Sequence, residues 1–394
     1  MTHLPPHAEP IVDFFDDSRP VFASFATAWM DVAGGAARLL GERGFHRETH
    51  CPISVRVQAT PEAGLRILDE GVYHAQGATR LHVDQPLMPS AVDEGVVQAV
   101  DAMLRRQYAF PFDETLSVAV HQSAPVASGL LWKEPLEAAL CEALGEAGFP
   151  QATRHRLHSA TPPMREGGAR WYAIDTGFPA PPDSIEAERV AVAAVMAYRM
   201  VADLAELPVR EVRRGVVVIE DDVWKGTPLL VPPSAWENMF RRRVPETMAG
   251  ATFLELYTGI NDSRLTIDRR TDYPIRAAMT YVTGEAHRAR LLRALPPAAF
   301  STPDQLAAIG ELLYQSHAAA DLCGLSVEPA NVLVSLAMEL GGAAGIHGAR
   351  LSGYGGGGVV TVLAGPDSDS GIDQLCSAYE QEMGLTPAVY PARD

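Results

Sequence analysis

Apolar and polar positions along the chain change period several times. Ile53–Gln58 alternates apolar and polar residues with period two, the mark of a half-buried strand. Val21–Ala28, Leu65–Leu68, Val72–His74, Thr79–Val83, Leu116–His121, Trp171–Thr176 and Gly215–Glu220 read as further short strands. Ser90–Tyr108 places Val92, Val96, Val97, Val100 and Met103–Leu104 at helical spacing. Helices are predicted over Lys133–Ala147, Ile185–Leu207, Trp236–Val244, Tyr273–Leu295, Thr302–Leu322, Glu328–Leu340 and Ile372–Met383. Ser301 or Thr302 is the N-cap expected for the helix that has Pro303 in its first turn. Val359–Leu363 is a β-branched run that reads as a buried strand, and Ala388–Tyr390 as a closing one. This mixture predicts an α+β fold with antiparallel-rich sheets. Pro208 marks the expected boundary between an N-terminal domain, 1–207, and a C-terminal domain, 208–394.

A segment just before the Val359 run draws attention. Residues 348–358 read GARLSGYGGGG, with four consecutive glycines from Gly355 to Gly358. Without Cβ atoms, such a run admits positive φ and close approach of backbone N–H groups. Successive exposed amides make an anion nest. The same run also fits a tight turn that packs two segments together. A second loop, Pro125–Gly129, lies between a predicted strand and a predicted helix, a geometry suited to an anion at the helix N-terminus.

Composition narrows the function classes. The 394 residues are 47% hydrophobic and 21% charged, enough for a sizeable core. A formal net charge of −17 argues against nucleic acid or an anionic membrane as the main partner. Cys51, Cys141, Cys323 and Cys376 lack CxxC spacing, so neither a zinc site nor a disulfide framework is expected, and no metal ligands are assigned. No secretory signal or stretch of membrane-spanning length is visible. The expectation is a soluble cytoplasmic protein.

Placed in order, these segments resemble the GHMP kinase superfamily, and most closely its galactokinase and L-arabinokinase branch. Residues 253–262 (FLELYTGIND) are similar to an arabinokinase segment that ends in an Asn-Asp pair. Residues 312–317 (LLYQSH) with Cys323–Leu325 are similar to its Ser-His or Cys-His helix, and residues 174–177 (IDTG) to its Ile-Asp-Ser-Gly. The Gly348–Gly358 stretch resembles the third family motif. The resemblance implies two domains with a cleft between them.

It also exposes departures. In residues 26–35 (ATAWMDVAGG), Asp31, Gly34 and Gly35 fit the first motif, but Trp29 stands where the family has arginine. Arg38 stands where an arabinokinase has a sugar-binding aspartate. In the phosphate loop, Gly129 and Glu137 fit, the serines that should follow are gone, and Lys133 takes the place of a Mg²⁺-holding serine. No segment like the galactokinase Met-Asp-Gln lies between Gly148 and Arg170, so Asp175 is the remaining candidate base, with a turn carboxylate as its other reading. Candidate ligand residues are Trp29, Asp31, Arg38, Ser128, Gly129, Trp132, His317, Ser352 and Gly355, Gly356, Gly357 and Gly358; candidate catalytic residues are Asp175 and Lys133.

Phosphoryl transfer needs a phosphate cradle, a neutralising cation and a group that orients the acceptor. The resemblance implies an ATP-dependent sugar kinase, using ATP and Mg²⁺, with a rearranged site. The losses imply an alternative: an inactive homologue that binds a sugar-like or anionic ligand or a protein partner, or a non-kinase enzyme in the same cleft. Arg38 and Lys133 together favour an anionic small molecule. Alternatively, both are solvated surface cations. Trp29 and Trp132 stack on a ligand ring or fill its lost volume. His317 either donates to a ligand or is satisfied by neighbouring backbone.

Overall fold

A computed structural model describes residues 19–41, 44–59, 64–69, 80–83, 96–104, 115–122, 130–148, 168–178 and 185–392. They gather into two compact units, one drawn from residues 1–29 and 48–160, the other from 30–47 and 161–392.

The first unit is built on a mixed five-stranded sheet. Its strands are β1 (Phe22–Ala33), β2 (Phe45–Ala59), β3 (Gly64–Asp69), β4 (Arg80–Val83) and, after helix α1 (Val96–Ala102), β5 (Thr115–Gln122). Their order is β1-β2-β5-β3-β4. The alternation in Ile53–Gln58 is realised as pairing: Ile53 to Ala59 run antiparallel to Gln122 to Leu116, with Ile53, Val55 and Val57 fully buried. β3 runs parallel to β5, a departure from the antiparallel tendency. Helix α2 (Lys133–Glu146) turns Leu136, Ala139, Leu140 and Leu144 inward. The predicted strand Val72–His74 lies outside the described residues. Both β1 and β2 contribute their remaining residues to the second unit.

The second unit carries the larger core. β6 (Arg170–Asp175) precedes the long helix α3 (Ile185–Leu204), whose Val190–Ala202 stretch is buried throughout. Alanines dominate that stretch, so other elements can approach its backbone. β7 (Val209–Arg213) and β8 (Gly215–Ile219) form a hairpin. Residues 236–244, predicted as one helix, instead make a π turn over Trp236–Phe240 and a 3₁₀ turn over Arg241–Arg243. Helices α4 (Ile275–Ala294), α5 (Pro303–Leu322) and α6 (Glu328–Leu340) follow, then β9 (Ile346–Leu351), β10 (Val359–Ala364), α7 (Asp369–Met383) and β11 (Ala388–Pro391). Thr302 caps α5 in a reciprocal box with Gln305, as the sequence predicts.

The sheet order is β9-β10-β6-β11, antiparallel throughout. β10 is paired on both sides and every residue is buried, the setting a β-branched run suits. Helix α5 packs directly on β9 at Gly310 and Gly348, where a Cβ on Gly310 would overlap the carbonyl oxygen of His347. Among the described residues, no helix is long and apolar enough to cross a membrane.

Candidate functional site: a buried ion network under a glycine turn

The site begins where β1 ends. The strand runs through Asp31 to Ala33, five residues further than the apolar pattern predicts. Gly34 and Gly35 then take φ of +123° and +41° and break it. Only glycine adopts the first without strain. A 3₁₀ turn, Gly35–Leu40, follows and is closed by the Gly41 N–H on the Arg38 carbonyl at 2.9 Å.

The first amides of such a turn have no partner within it. Here three consecutive N–H groups are taken up by buried side chains. Gly34 donates to Glu285 Oε1 at 2.9 Å, Gly35 to Asp31 Oδ2 at 2.9 Å and Ala36 to the Tyr281 hydroxyl at 3.2 Å. Asp31 is also held by its main chain. Its N–H donates to Ser352 Oγ at 2.9 Å, and its carbonyl accepts from Thr361 Oγ1 at 3.0 Å. Ser352 therefore holds Asp31, its fellow candidate ligand residue.

Arg350 joins the two carboxylates, with Nη1 3.2 Å from Asp31 Oδ2 and 3.1 Å from Glu285 Oε1. Glu285 also receives Arg288 Nη2 at 2.9 Å and the Ser316 hydroxyl at 2.7 Å. Burial alone would raise the Glu285 carboxyl, but Arg350 and Arg288 overcome it and hold its pKa at about 2. For Asp31 burial wins, and its pKa is raised despite Arg350 and Arg38. The two shifts differ in sign because their partners differ. Arg38 stays 3.9 Å from Asp31 Oδ1, and that oxygen has no hydrogen-bond partner among the described residues.

Arg38 links the turn to the glycine loop. Its guanidinium carbon lies 5.7 Å from the centre of the Tyr354 ring, a cation–π distance. Its stem packs against Gly34 and Gly44, where a Cβ would come within 3.3 and 3.1 Å of it. The side chain keeps 13% of its surface exposed.

The glycine loop is shaped by packing. Gly353, Gly355 and Gly356 take positive φ. The Ser352 N–H on the Val359 carbonyl, 2.8 Å, closes its base, and the Gly356 N–H donates to the Leu325 carbonyl at 2.7 Å. A Cβ on Gly355 would lie 2.9 Å from Leu325 Cδ2, and one on Gly358 would overlap Thr176 Oγ1. Gly357 is buried.

Asp175 stands at the end of β6, in register with Val359 where the loop re-enters β10. Its Oδ1 accepts the Gly177 N–H at 3.0 Å, and burial raises its pKa. His317, on α5, accepts the Leu351 N–H at Nδ1 over 3.2 Å. Burial, with a contribution from Arg350, lowers its pKa to about 4, so it is neutral. The Leu351 amide is a backbone partner for Nδ1.

The second unit thus brings together Asp31, Arg38, His317, Ser352, the glycine loop and Asp175. Trp132 and Lys133 belong to the first unit, at the start of α2, with the ammonium 5.8 Å from the Trp132 ring centre. The Trp29 backbone lies in β1, but its side chain, Ser128 and Gly129 lie outside the described residues. Tyr281, Glu285, Arg288, Ser316, Arg350 and Thr361 were not singled out from the sequence. One signal was available: Glu285 falls on the apolar stripe of α4, three residues after Val282 and four before Ala289. A carboxylate there must be paired.

Comparison with known structures places this geometry. The fold aligns with Lactococcus lactis galactokinase complexed with galactose at a TM-score of 0.66, covering 98% of this chain and 96% of that one at 16% identity. The fold is that of the GHMP kinases. A mevalonate kinase structure aligns at a TM-score of 0.51 and 9% identity, over 95% and 98% of the two chains. In sequence, the GHMP-fold chain is 26% identical over 242 residues to the L-arabinokinase of Arabidopsis thaliana. That match spans 56% of this chain but only 23% of the arabinokinase. No protein-family model matches the chain.

α2 starts without a side-chain cap and carries Lys133 at its first position, an arrangement favourable to an anion. The same ammonium opposes a divalent cation nearby. Among the described residues, no group of three or more His, Cys, Asp or Glu could hold a metal ion.

Proposed function

We propose that this protein is an ATP-dependent kinase of the sugar-kinase type, with a rearranged active site and a sugar or an anionic sugar derivative as its substrate. Residues 1–207 and 208–394 would be its N- and C-terminal halves, and the cytoplasm its setting. Asp175 is the observation that carries the reading. It sits beside the glycine loop in the β6–β10 register, has one backbone hydrogen bond, and has a pKa raised by burial. A carboxylate tuned upward in this way is suited to take a proton from an acceptor hydroxyl at neutral pH. Asp31 is less suited to that role, because it is sealed from solvent and Gly35 and Arg350 hold its Oδ2. ATP supplies the phosphoryl group when bound; within the first unit, Lys133 and the start of α2 are the groups suited to phosphate. Arg38 favours an acidic substituent on the substrate, since a guanidinium binds carboxylate well.

A second reading, a ligand-binding protein without turnover, is favoured by Lys133, which would repel the metal that phosphoryl transfer requires. Calorimetry with ATP, with and without Mg²⁺, followed by phosphate-transfer assays on neutral and acidic sugars, separates the two. Absence of nucleotide binding at millimolar concentration sinks the kinase reading. Nucleotide binding without transfer leaves the second.

A further inference from the structure

The Gly34–Ala36 amides are a ready-made anion nest that the protein fills itself. Two of the three occupants, Glu285 Oε1 and the Tyr281 hydroxyl, come from one helix, α4, four residues apart and therefore on one face. Both are fully buried or nearly so. Glu285 is in turn fixed by Arg288, Arg350 and Ser316. Gly35 leaves no room for adjustment, because a Cβ there would overlap the Tyr281 hydroxyl. The turn so anchored carries Arg38 three residues beyond Gly35, with its stem packed on Gly34.

We propose that Tyr281 and Glu285 are positioning residues for Arg38: by accepting the Ala36 and Gly34 N–H groups they set the turn that aims the guanidinium at its place beside Asp31 and Tyr354. The inference rests on the reading of Arg38 as a ligand residue for its consequence in binding, but the placement itself is testable without any ligand. Loss of either acceptor leaves a buried N–H unpaired, and the turn must shift to satisfy it. Arg38 moves with the turn. A purely structural role would weaken the fold and leave Arg38 where it is in every molecule that remains folded.

The test uses the full chain, labelled with ¹⁵N, in spectra of the arginine Nε–Hε groups. The Arg38 signal is identified by its loss in Arg38→Lys. Tyr281→Phe, the milder variant, is expected to shift or broaden that signal, and Glu285→Met, which removes the acceptor for the Gly34 N–H, to do so more strongly. Arg170→Lys, a control whose guanidinium pairs with the exposed Asp369, leaves it in place. A Tyr281→Phe protein with a lowered Tm and an unmoved Arg38 signal overturns the proposal, whether or not Glu285→Met folds. The binding arm uses galacturonate, measured well below Tm. Tyr281→Phe should weaken it about 5- to 10-fold, and should add nothing in an Arg38→Ala background, as expected for two residues acting through one contact. Independent losses in the two backgrounds also overturn it. If the unsubstituted protein does not bind galacturonate, the acidic-substrate reading fails and the spectra alone decide the placement.

Discussion

Arg350 Nη1 lies 3.1 Å from Glu285 Oε1, and both side chains are sealed from solvent. The pair closes a network that reaches Asp31, Arg288, Ser316 and the Gly34 amide. Taking these charges out of water is costly, so the network stabilises the fold only while it is complete. Arg350→Met should destabilise the protein by about 3–5 kcal/mol, because it leaves two carboxylates buried with one cation fewer. Urea unfolding measures it, and a loss below about 1 kcal/mol would mean that solvent reaches the cluster in solution.

Gly310 offers a test of the packing beneath the site. Its absent Cβ is what lets α5 touch the His347 carbonyl on β9. Gly310→Ala gains helix propensity of about 1 kcal/mol in isolation. Here it should instead cost more than about 2 kcal/mol, since helix and strand must separate. A stabilised variant would contradict the close approach.

Stability should fall in mild acid. His46 and His317 are both held at a pKa of about 4, chiefly by burial, against an ordinary value of 6.5. Between those values the unfolded chain binds protons that the folded chain refuses. Stability is therefore highest above pH 6.5 and declines toward pH 4, at about 2.7 kcal/mol per pH unit where both contribute fully. Glu285, depressed from 4.5 to about 2, extends the loss below pH 4.5. Asp31, raised by burial, opposes it. Removing His317 by substitution with Asn should roughly halve the slope between pH 6.5 and 4. An unchanged slope would place the titration elsewhere.

The sequence foretold elements whose pattern is local. The buried run after the glycines, the alanine-rich α3 and the Thr302 cap all stand within about one turn of their expected limits. The network was not legible, because its members lie at residues 31, 285, 316 and 350 and meet only through tertiary packing. Two predicted ligand residues owe their positions to packing that no local pattern encodes. His317 serves the Leu351 amide, and Ser352 serves Asp31. The π turn at Trp236–Phe240 likewise follows from tertiary contacts, with the Trp236 indole N–H on Thr280 Oγ1 at 2.8 Å.

A substitution at Asp175 distinguishes a catalytic from a binding role. Asp175→Asn keeps the acceptor for the Gly177 N–H and so should leave the fold intact. If the carboxylate is the base, phosphate transfer should drop by about 10² to 10⁴, with nucleotide affinity unchanged. Equal losses in affinity and turnover would make Asp175 a turn residue only.

The most direct measurement is ATP consumption by the purified protein with Mg²⁺ across a panel of neutral sugars and sugar acids, read as formation of the phosphorylated sugar. The account predicts transfer to at least one member, with acids preferred and the preference lost in Arg38→Ala. Nucleotide binding without phosphorylation of any member, or no nucleotide binding at all, would contradict it.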